Sequence, residues 1–510
     1  MVIVSITPDL ALDYGYTYAG GLGVLEGDKF YTASRLGLRY TVLTLLYRRG
    51  YVDYEFKDTE PLPKPQKHPE IFWEKLVPLE EFKVKLKGED VIVRPWFFRR
   101  NSANVIFFES VCPTWARSLT ERIYIERNIE EKFLKYLFLA KSSAYYIENF
   151  IGIENIDYID LQEAYTALLP LILPINKKYR LIIHTPGPWG HPTFPKELIE
   201  RELGWSFIAP QVVLTEIGLS LVEKAFVVSQ KQLDVIKNVF PHYIGKIHYI
   251  TNGIDIERWM NTRTKKLYEE KKLSIETFRD VHEELRKSLL KMLRLYKEGI
   301  DLNGEKMIVT WARRIVRYKR PEFMAWFIER NHDLPVIYVL AGKAHPHDTD
   351  GLKRMMMFKK LSNTYKNVVF IHDYDVSKAK ILLQGSDLLT FTPFSGWEAC
   401  GTSYMKAGVN GIPTISSRDG GALEIIIDGF NGWLFGKDLR EFINIYRDPR
   451  VEKINREDYE EFSNKLRNIV ELYFSDREKF YEVCINAIKS FVPRVNIVNS
   501  LKAYYSHLIK

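Results

Sequence analysis

The stretch MIVTWARRIVRYKRPEFMAWFIERNHDLPVIYVLA, residues 307–341, decides the fold. Residues 307–311 and 336–341 are short apolar runs of the kind that lie buried on both faces of a parallel sheet. Between them, the segment after Pro321 has the length and spacing of a helix, so strand, helix and strand read as one crossover unit. The alternation continues with a helix from Gly351, a strand over 367–371 and a helix from Val376. A strand over 387–392, a helix through 399–407 and a strand over 412–416 follow. Regular alternation of this length predicts a doubly wound sheet.

Upstream, the apolar runs 40–46, 181–184 and 225–228 are bounded by glycine, proline or helical pattern and read as buried parallel strands too. Residues 261–304 between the halves are highly charged. Helical spacing in DVHEELRKSLLKMLRLYKEG puts Leu285, Leu289, Met292, Leu293 and Tyr296 on one face. The fold class expected is α/β, with two doubly wound Rossmann-like domains facing each other across a cleft. The first is expected over 1–252 and the second over 253–490. Ligands bind outside the carboxyl ends of strands in such sheets, which is where functional residues are sought.

Composition narrows the function. A chain of 510 residues, 46% hydrophobic and 27% charged, has material for two or three domain cores. Its 73 basic and 65 acidic residues give +8, with both signs mixed along the chain, so a mild attraction for anions is expected rather than nucleic-acid binding. Cys112, Cys400 and Cys484 are too scattered for a disulfide framework or a zinc site with paired ligands and fit a reducing compartment. The opening MVIVSITPDLAL lacks the basic leader and long apolar core of a secretory signal, so a cytoplasmic enzyme is expected. No apolar stretch reaches the roughly 18 to 20 residues that cross a bilayer. FLKYLFLAKSSAYYIENFIGI is interrupted by Lys141 and Glu148 and reads as a buried helix.

Three segments carry residues suited to chemistry. AGGLGVLEGD, residues 19–28, has glycines before a helix; Gly20 and Gly21 leave room for a phosphate on backbone N–H groups or simply make a tight turn. ARRIVRYKRP, residues 312–321, puts Arg313, Arg314, Arg317, Lys319 and Arg320 at a strand's carboxyl end, where they can clamp a dianion. EACGTSYMKAGVNGIPTISSRDGGALEI, residues 398–425, joins a polar loop to a helix bearing Lys406. That lysine is suited to a Schiff base if held in a cleft, and is an ordinary surface lysine otherwise.

Four separated motifs, YAGGLGVLEGD, TNGIDIERW (251–259), RRIVRYKR and WEACGTSYMKAGVNG (397–411), together resemble the α-glucan phosphorylase family in its short form. AGKAHPHD (341–348), DYDVSKAKILLQGSDL (373–388) and DGFNGWLFG (428–436) extend the similarity in the same order. The resemblance implies the two-domain glycosyltransferase fold called GT-B, with the segment 491–510 crossing back onto the first domain. It implies phosphorolysis of α-1,4-glucan or maltooligosaccharide to glucose 1-phosphate with retention, or the reverse, with pyridoxal 5'-phosphate on Lys406. By the same route Arg314 and Lys319 would hold inorganic phosphate with a backbone N–H of Gly21. Arg313, Tyr374, Thr402 and Ser403 would surround the cofactor phosphate. Glu398, Ala399, Cys400 and Gly401 would bind sugar hydroxyls, with Asn252 and His184 near the 6-hydroxyl and the reacting carbon. A homo-oligomer is left open. The chain departs from the family where Arg313 replaces lysine, Cys400 replaces serine, and DLQEAYTALLP (160–170) has Tyr165 in place of a histidine. That last segment also resembles glycogen and starch synthases, so a retaining transferase using a nucleotide sugar is the alternative.

Overall fold

The computed structural model describes residues 2–302 and 304–509. The chain divides into two compact units, Met1–Tyr51, Pro65–Thr251 and Ser500–Lys510 in the first, and Val52–Lys64 and Asn252–Asn499 in the second. Each is an α/β unit on a largely or wholly parallel sheet, as the alternation predicts.

In the first unit seven strands run parallel in the order Ile247–Tyr249, Lys224–Val227, Tyr179–Ile183, Ile156–Gln162, Val2–Ile6, Tyr40–Leu45 and Ala103–Cys112. Val2–Ile6, Tyr40–Leu45 and Tyr179–Ile183 are buried at every position, which is why their sequences are mostly apolar. Beyond Ala103–Cys112 the sheet continues antiparallel through Glu89–Arg100, which also carries Phe82–Leu86 and Val77–Pro78. Phe82, Val84 and Leu86 point inward while Lys83 and Lys85 face water, the alternation of a one-sided strand. Strand order reverses beside Val2–Ile6, because the chain moves to Tyr40–Leu45 on one side and later enters Ile156–Gln162 on the other. The loops 7–20 and 163–168 therefore flank the crevice of this sheet. Arg180 donates from Nε and Nη2 to Asp160 at 2.7 and 2.9 Å and from Nη1 to the Tyr504 carbonyl at 2.7 Å. The Tyr505 hydroxyl also reaches Asp160, so a buried ion pair fastens Tyr504 and Tyr505 to the sheet of this unit.

The second unit has six parallel strands in the order Val368–Ile371, Val336–Ala341, Met307–Ala312, Leu388–Phe391, Thr414–Ser417, Trp433–Phe435. In chain order this is 3-2-1-4-5-6, the Rossmann arrangement, with its switch between Met307–Ala312 and Leu388–Phe391. The helix Ile275–Tyr296 starts at a capping box on Ser274 and Thr277 and packs Leu289, Met292 and Leu293 against Ile308, Val339, Val369 and Leu382. The helix expected through 399–407 begins only at Ser403–Gly408, since Gly396 takes φ 90° and residues 392–402 run as an irregular loop. Gly411 at φ 76° and Pro413, which has no N–H to give a ladder, delay the next strand to Thr414–Ser417.

The hairpin of Asp53–Lys57 and Glu60–Lys64 packs within this second unit. Tyr54 Oη donates to the Ala344 carbonyl at 3.1 Å, Lys343 pairs with Asp53 at 2.9 Å, and Phe56 meets Phe370 and His372 edge-on. The apolar run in the first unit forms the helix Ile129–Tyr146, capped by Asn128. Among the described residues no helix is long and apolar enough to cross a membrane.

Candidate active site

The switch point of the second sheet gathers charge. Arg313, 5% exposed, follows Met307–Ala312 directly, and its backbone N–H donates to Ala341 at 2.9 Å. A Cβ at Gly342 would come within 1.9 Å of the Arg313 carbonyl oxygen, so glycine is required there for the two backbones to approach. The Arg313 guanidinium lies over the Phe391 ring at 3.7 Å, donates from Nη2 to Glu398 Oε2 at 2.6 Å, and keeps Nη1 buried without a partner. Lys319 Nζ is 3.7 Å from the same Glu398 oxygen. Burial pulls the Lys319 ammonium down to about 7 against the charge of Glu398, and the cations of Arg313 and Arg314 add to the fall. Burial also acts to raise the Glu398 carboxyl, yet Lys319 and Arg313, with hydrogen bonds from Arg313 and Tyr318, hold it below the ordinary glutamate range. Arg313 and Lys319 thus share one ionised carboxylate, leaving positive charge that an anionic ligand would balance.

Not all of the cation run belongs here. Arg320, 1% exposed and at φ 46°, donates to the carbonyls of Thr392 and Pro393 and pairs with Asp458 at 2.7 Å. Its role is to tie the strand end to the helix Arg450–Ser475. Arg317 is half-exposed, 3.5 Å from Asp350 and over the Tyr446 ring.

The loop bearing Glu398, Ala399, Cys400 and Gly401 is shaped by Asp419, a residue the sequence reading passed over. Its buried carboxylate accepts from the backbone N–H groups of Gly396, Trp397, Glu398 and Gly420 at 2.7, 3.2, 2.7 and 2.9 Å. The signal was present in TISSRDGG, where an acid follows a strand and precedes two glycines. Gly420 at φ 53° passes under the loop, where a Cβ would meet the Glu398 carbonyl at 2.4 Å. Gly401 is equally confined, 2.6 Å from Phe391 by the same construction. Asn252 Nδ2 donates to the Cys400 carbonyl at 3.2 Å. Burial pushes the Cys400 thiol up to about 12, so it stays protonated beside the Tyr404 hydroxyl at 3.7 Å.

Lys406 lies on Ser403–Gly408, 6% exposed, with Nζ 4.0 Å from the centroid of Trp259. It is not a surface lysine. Asn410 fixes the pair, donating to the carbonyls of both Trp259 and Lys406 at 3.0 and 2.8 Å. Thr402 and Ser403 are half-buried at the start of this helix, and the Thr402 side chain does not cap it. Tyr374, past the end of Val368–Ile371, packs on the core, and burial raises its hydroxyl while the Arg313 charge acts in the opposite direction.

In the first unit, Gly20 and Gly21 open the helix Gly21–Arg35 beside the sheet crevice. A Cβ at either would meet nothing within 4 Å, and neither has positive φ, so a tight turn does not explain them; Gly23, which would press on Tyr18 and Asp9, is the residue packing requires. His184 follows Tyr179–Ile183, with Nε2 2.8 Å from Gln162 Oε1. Burial, then the charge of Lys29, holds this imidazole well below its usual range and so neutral. Gln162 Oε1 also accepts from Lys29 at 3.4 Å, so the His184 Nε2 bears the proton and donates. Glu163, at φ 67°, is 3% exposed with Oε2 unpartnered; burial pushes its carboxyl up to about 8 against hydrogen bonds from Thr185, His184 and Ala164. Tyr165 donates to the Trp189 carbonyl at 2.9 Å and lies against Tyr136.

Two Rossmann-like units, one with a buried lysine and a cation cluster at its switch point, define the class of two-domain glycosyltransferase folds. A family model for carbohydrate phosphorylase matches residues 248–507, and the chain belongs to that family. It is similar to a maltodextrin phosphorylase of Thermococcus litoralis, 26% identical over 97% of this chain and 69% of the relative. A glycogen phosphorylase of Aquifex aeolicus is 27% identical over 100% of this chain and 86% of its own. An uncharacterized protein of Methanocaldococcus jannaschii is 26% identical over 97% and 96%.

Proposed function

We propose that the chain is an α-1,4-glucan phosphorylase, a glycosyltransferase that cleaves α-glucan or maltooligosaccharide with inorganic phosphate to give glucose 1-phosphate with retention. The observation that carries this reading is the buried cluster of Arg313 and Lys319 on Glu398, with Arg314 beside it and Arg313 Nη1 left without a partner. A carbohydrate phosphorylase must hold anionic phosphate next to a neutral sugar, and this cluster has charge to spare for it.

The family resemblance implies pyridoxal 5'-phosphate, and the second unit's residues fit that group. Lys406 is buried against an indole, and the unpartnered Arg313 Nη1, Tyr374, Thr402 and Ser403 are donors suited to a phosphate. When bound, the cofactor supplies a second phosphate that relays a proton to and from the substrate phosphate. Lys406 would hold it covalently. Arg314 and Lys319 bind and orient the substrate phosphate, and Lys319, poised near neutrality, gains its proton when the dianion docks. Glu398, held ionised, accepts sugar hydroxyls, with the backbone of Ala399 to Gly401 and Asn252 completing sugar recognition. Within the first unit, Gly20 and Gly21 leave backbone N–H groups open to an anion, and His184 is neutral. The three thiols are free, which suits a cytoplasmic setting.

The cofactor assignment is tested by the absorbance of the protein as purified. A near-ultraviolet band, fixed by borohydride onto the peptide containing Lys406 and missing in Lys406→Ala, supports it; a colourless wild type overturns it.

A further inference from the structure

Lys29 stands on the helix Gly21–Arg35 of the first unit and is 3% exposed. We propose that it is a positioning residue for the reaction: through the amide of Gln162 it fixes the tautomer in which His184 offers Nδ1 as a hydrogen-bond acceptor to a sugar hydroxyl. The sugar rests on the phosphorylase reading above; the tautomer does not.

An ammonium group has three donors and no acceptor, so it dictates which end of an amide can face it. Lys29 Nζ is 3.4 Å from Gln162 Oε1, and Gln162 Nε2 donates to Ser5 Oγ at 3.1 Å. Turning the amide over would set its NH2 against the ammonium. The oxygen therefore faces Lys29, and His184 Nε2 lies 2.8 Å from that same oxygen. With both lone pairs of Oε1 taken by donors, Nε2 carries the ring proton and Nδ1 the lone pair. Without Lys29 the amide could turn. Its NH2 would then face the ring, the proton would move to Nδ1, and that nitrogen would donate instead of accept.

A plain ion pair does not account for Lys29. Its Nζ stands 3.6 Å from Glu26 Oε2, farther than from the amide, and that oxygen has no hydrogen-bond partner, while Glu26 Oε1 accepts from Tyr40 at 2.6 Å. A buried pair of this kind is seldom more stable than apolar side chains of the same size. The helix also ties Lys29 to the glycine loop. Gly21 and Lys29 are eight residues apart, about 12 Å at ~1.5 Å each, so one helix carries both the open glycine start and the cation that sets the imidazole.

The surrounding charges agree with a neutral ring. Burial and then the Lys29 charge hold His184 below its usual range. Glu163, whose carboxyl accepts from the His184 backbone and the Thr185 hydroxyl, is kept protonated by burial up to about 8. Glu26 faces Lys29 from the same helix, and the Tyr504 ring lies 5.3 Å from its Nζ.

Nitrogen-15 NMR of the full chain with labelled histidine tests this, with His184→Gln locating the resonance. The wild type should carry the proton on Nε2, and Lys29→Met should move it wholly or in part to Nδ1. Ser5→Ala, which keeps the lysine, should leave it on Nε2. In phosphorolysis of maltoheptaose, Lys29→Met should lower kcat/KM at pH 7 by about five-fold, the worth of one hydrogen bond. The acid limb of its pH profile should move to higher pH, because the ring protonates more readily without the cation and a protonated ring has no acceptor. If Lys29→Met fails to fold with Glu26 left alone, Glu26→Gln combined with Lys29→Met carries the same comparison. A wild-type proton on Nδ1, or the same tautomer and acid limb with and without Lys29, overturns the proposal. A wild type with the proton on Nε2 that releases no glucose 1-phosphate would instead sink the phosphorylase reading and leave the tautomer assignment standing.

Discussion

Nη2 of Arg313 and Nζ of Lys319 converge on one oxygen, Oε2 of Glu398, at 2.6 and 3.7 Å. A single carboxylate cannot neutralise both cations, so the cluster holds positive charge in a buried place. Lys319→Ala or Arg314→Ala should therefore leave the melting temperature close to wild type and lower kcat/KM for phosphorolysis by on the order of 100-fold or more. Near-normal rates in either variant would move the phosphate site elsewhere.

Binding of phosphate should take up protons. With Lys319 titrating at about 7 without ligand, a docked dianion raises it, so a fraction of the sites gains a proton at pH 7.5. Calorimetric titration with phosphate in buffers of different ionisation enthalpy should show this uptake, and affinity should weaken as pH rises above about 7. Lys319→Met should abolish both effects. Buffer-independent heats in the wild type would contradict the assignment.

Glu163 should make stability depend on pH. Its folded carboxyl, pushed up to about 8 from an ordinary 4.5, keeps a proton that the unfolded chain has already released. The stabilising contribution is full below the unfolded value and is lost as pH rises through the folded one, by up to about 1.4 kcal/mol per pH unit between them. Glu163→Gln stays neutral throughout, and its amide can stand where Oε2 lacks a partner. Melting curves from pH 5 to 8.5 should show the variant gaining on wild type as pH rises; parallel curves would mean that Glu163 ionises normally.

Asp419→Ala should be among the costlier single changes in the second unit. It would strip the acceptor from four backbone N–H groups and release the loop that aims Glu398. The expected loss is about 3 kcal/mol of stability, with at least ~10-fold in kcat/KM for phosphorolysis. A variant with wild-type stability and rate would show that the loop holds its shape without this carboxylate.

The parallel strands of both units were legible because burial on both faces leaves a mostly apolar run, as in Tyr40–Leu45 and Val336–Ala341. The antiparallel extension through Glu89–Arg100 was not, because its half-exposed alternation resembles an ordinary polar surface. Nor was the packing of Asp53–Lys57 with the second unit, since contacts such as Tyr54 to Ala344 link residues 290 apart and leave no local trace. Composition alone could not sort the cation run. Arg320 and Lys319 are neighbours in the sequence, yet a left-handed turn at Arg320 sends one to Asp458 and leaves the other beside Glu398. For Gly20 and Gly21, the sequence permitted a tight turn that the open space around them removes.

The account stands on phosphate being the acceptor of the glucosyl unit, and phosphorus NMR of the purified protein with maltoheptaose and inorganic phosphate tests that most directly. The account predicts an α-glucose 1-phosphate resonance that grows with phosphate concentration, and its loss in Lys406→Ala. A wild type that forms no glucose 1-phosphate, but transfers glucose from a uridine or adenosine diphosphate sugar to the oligosaccharide without phosphate, would contradict it.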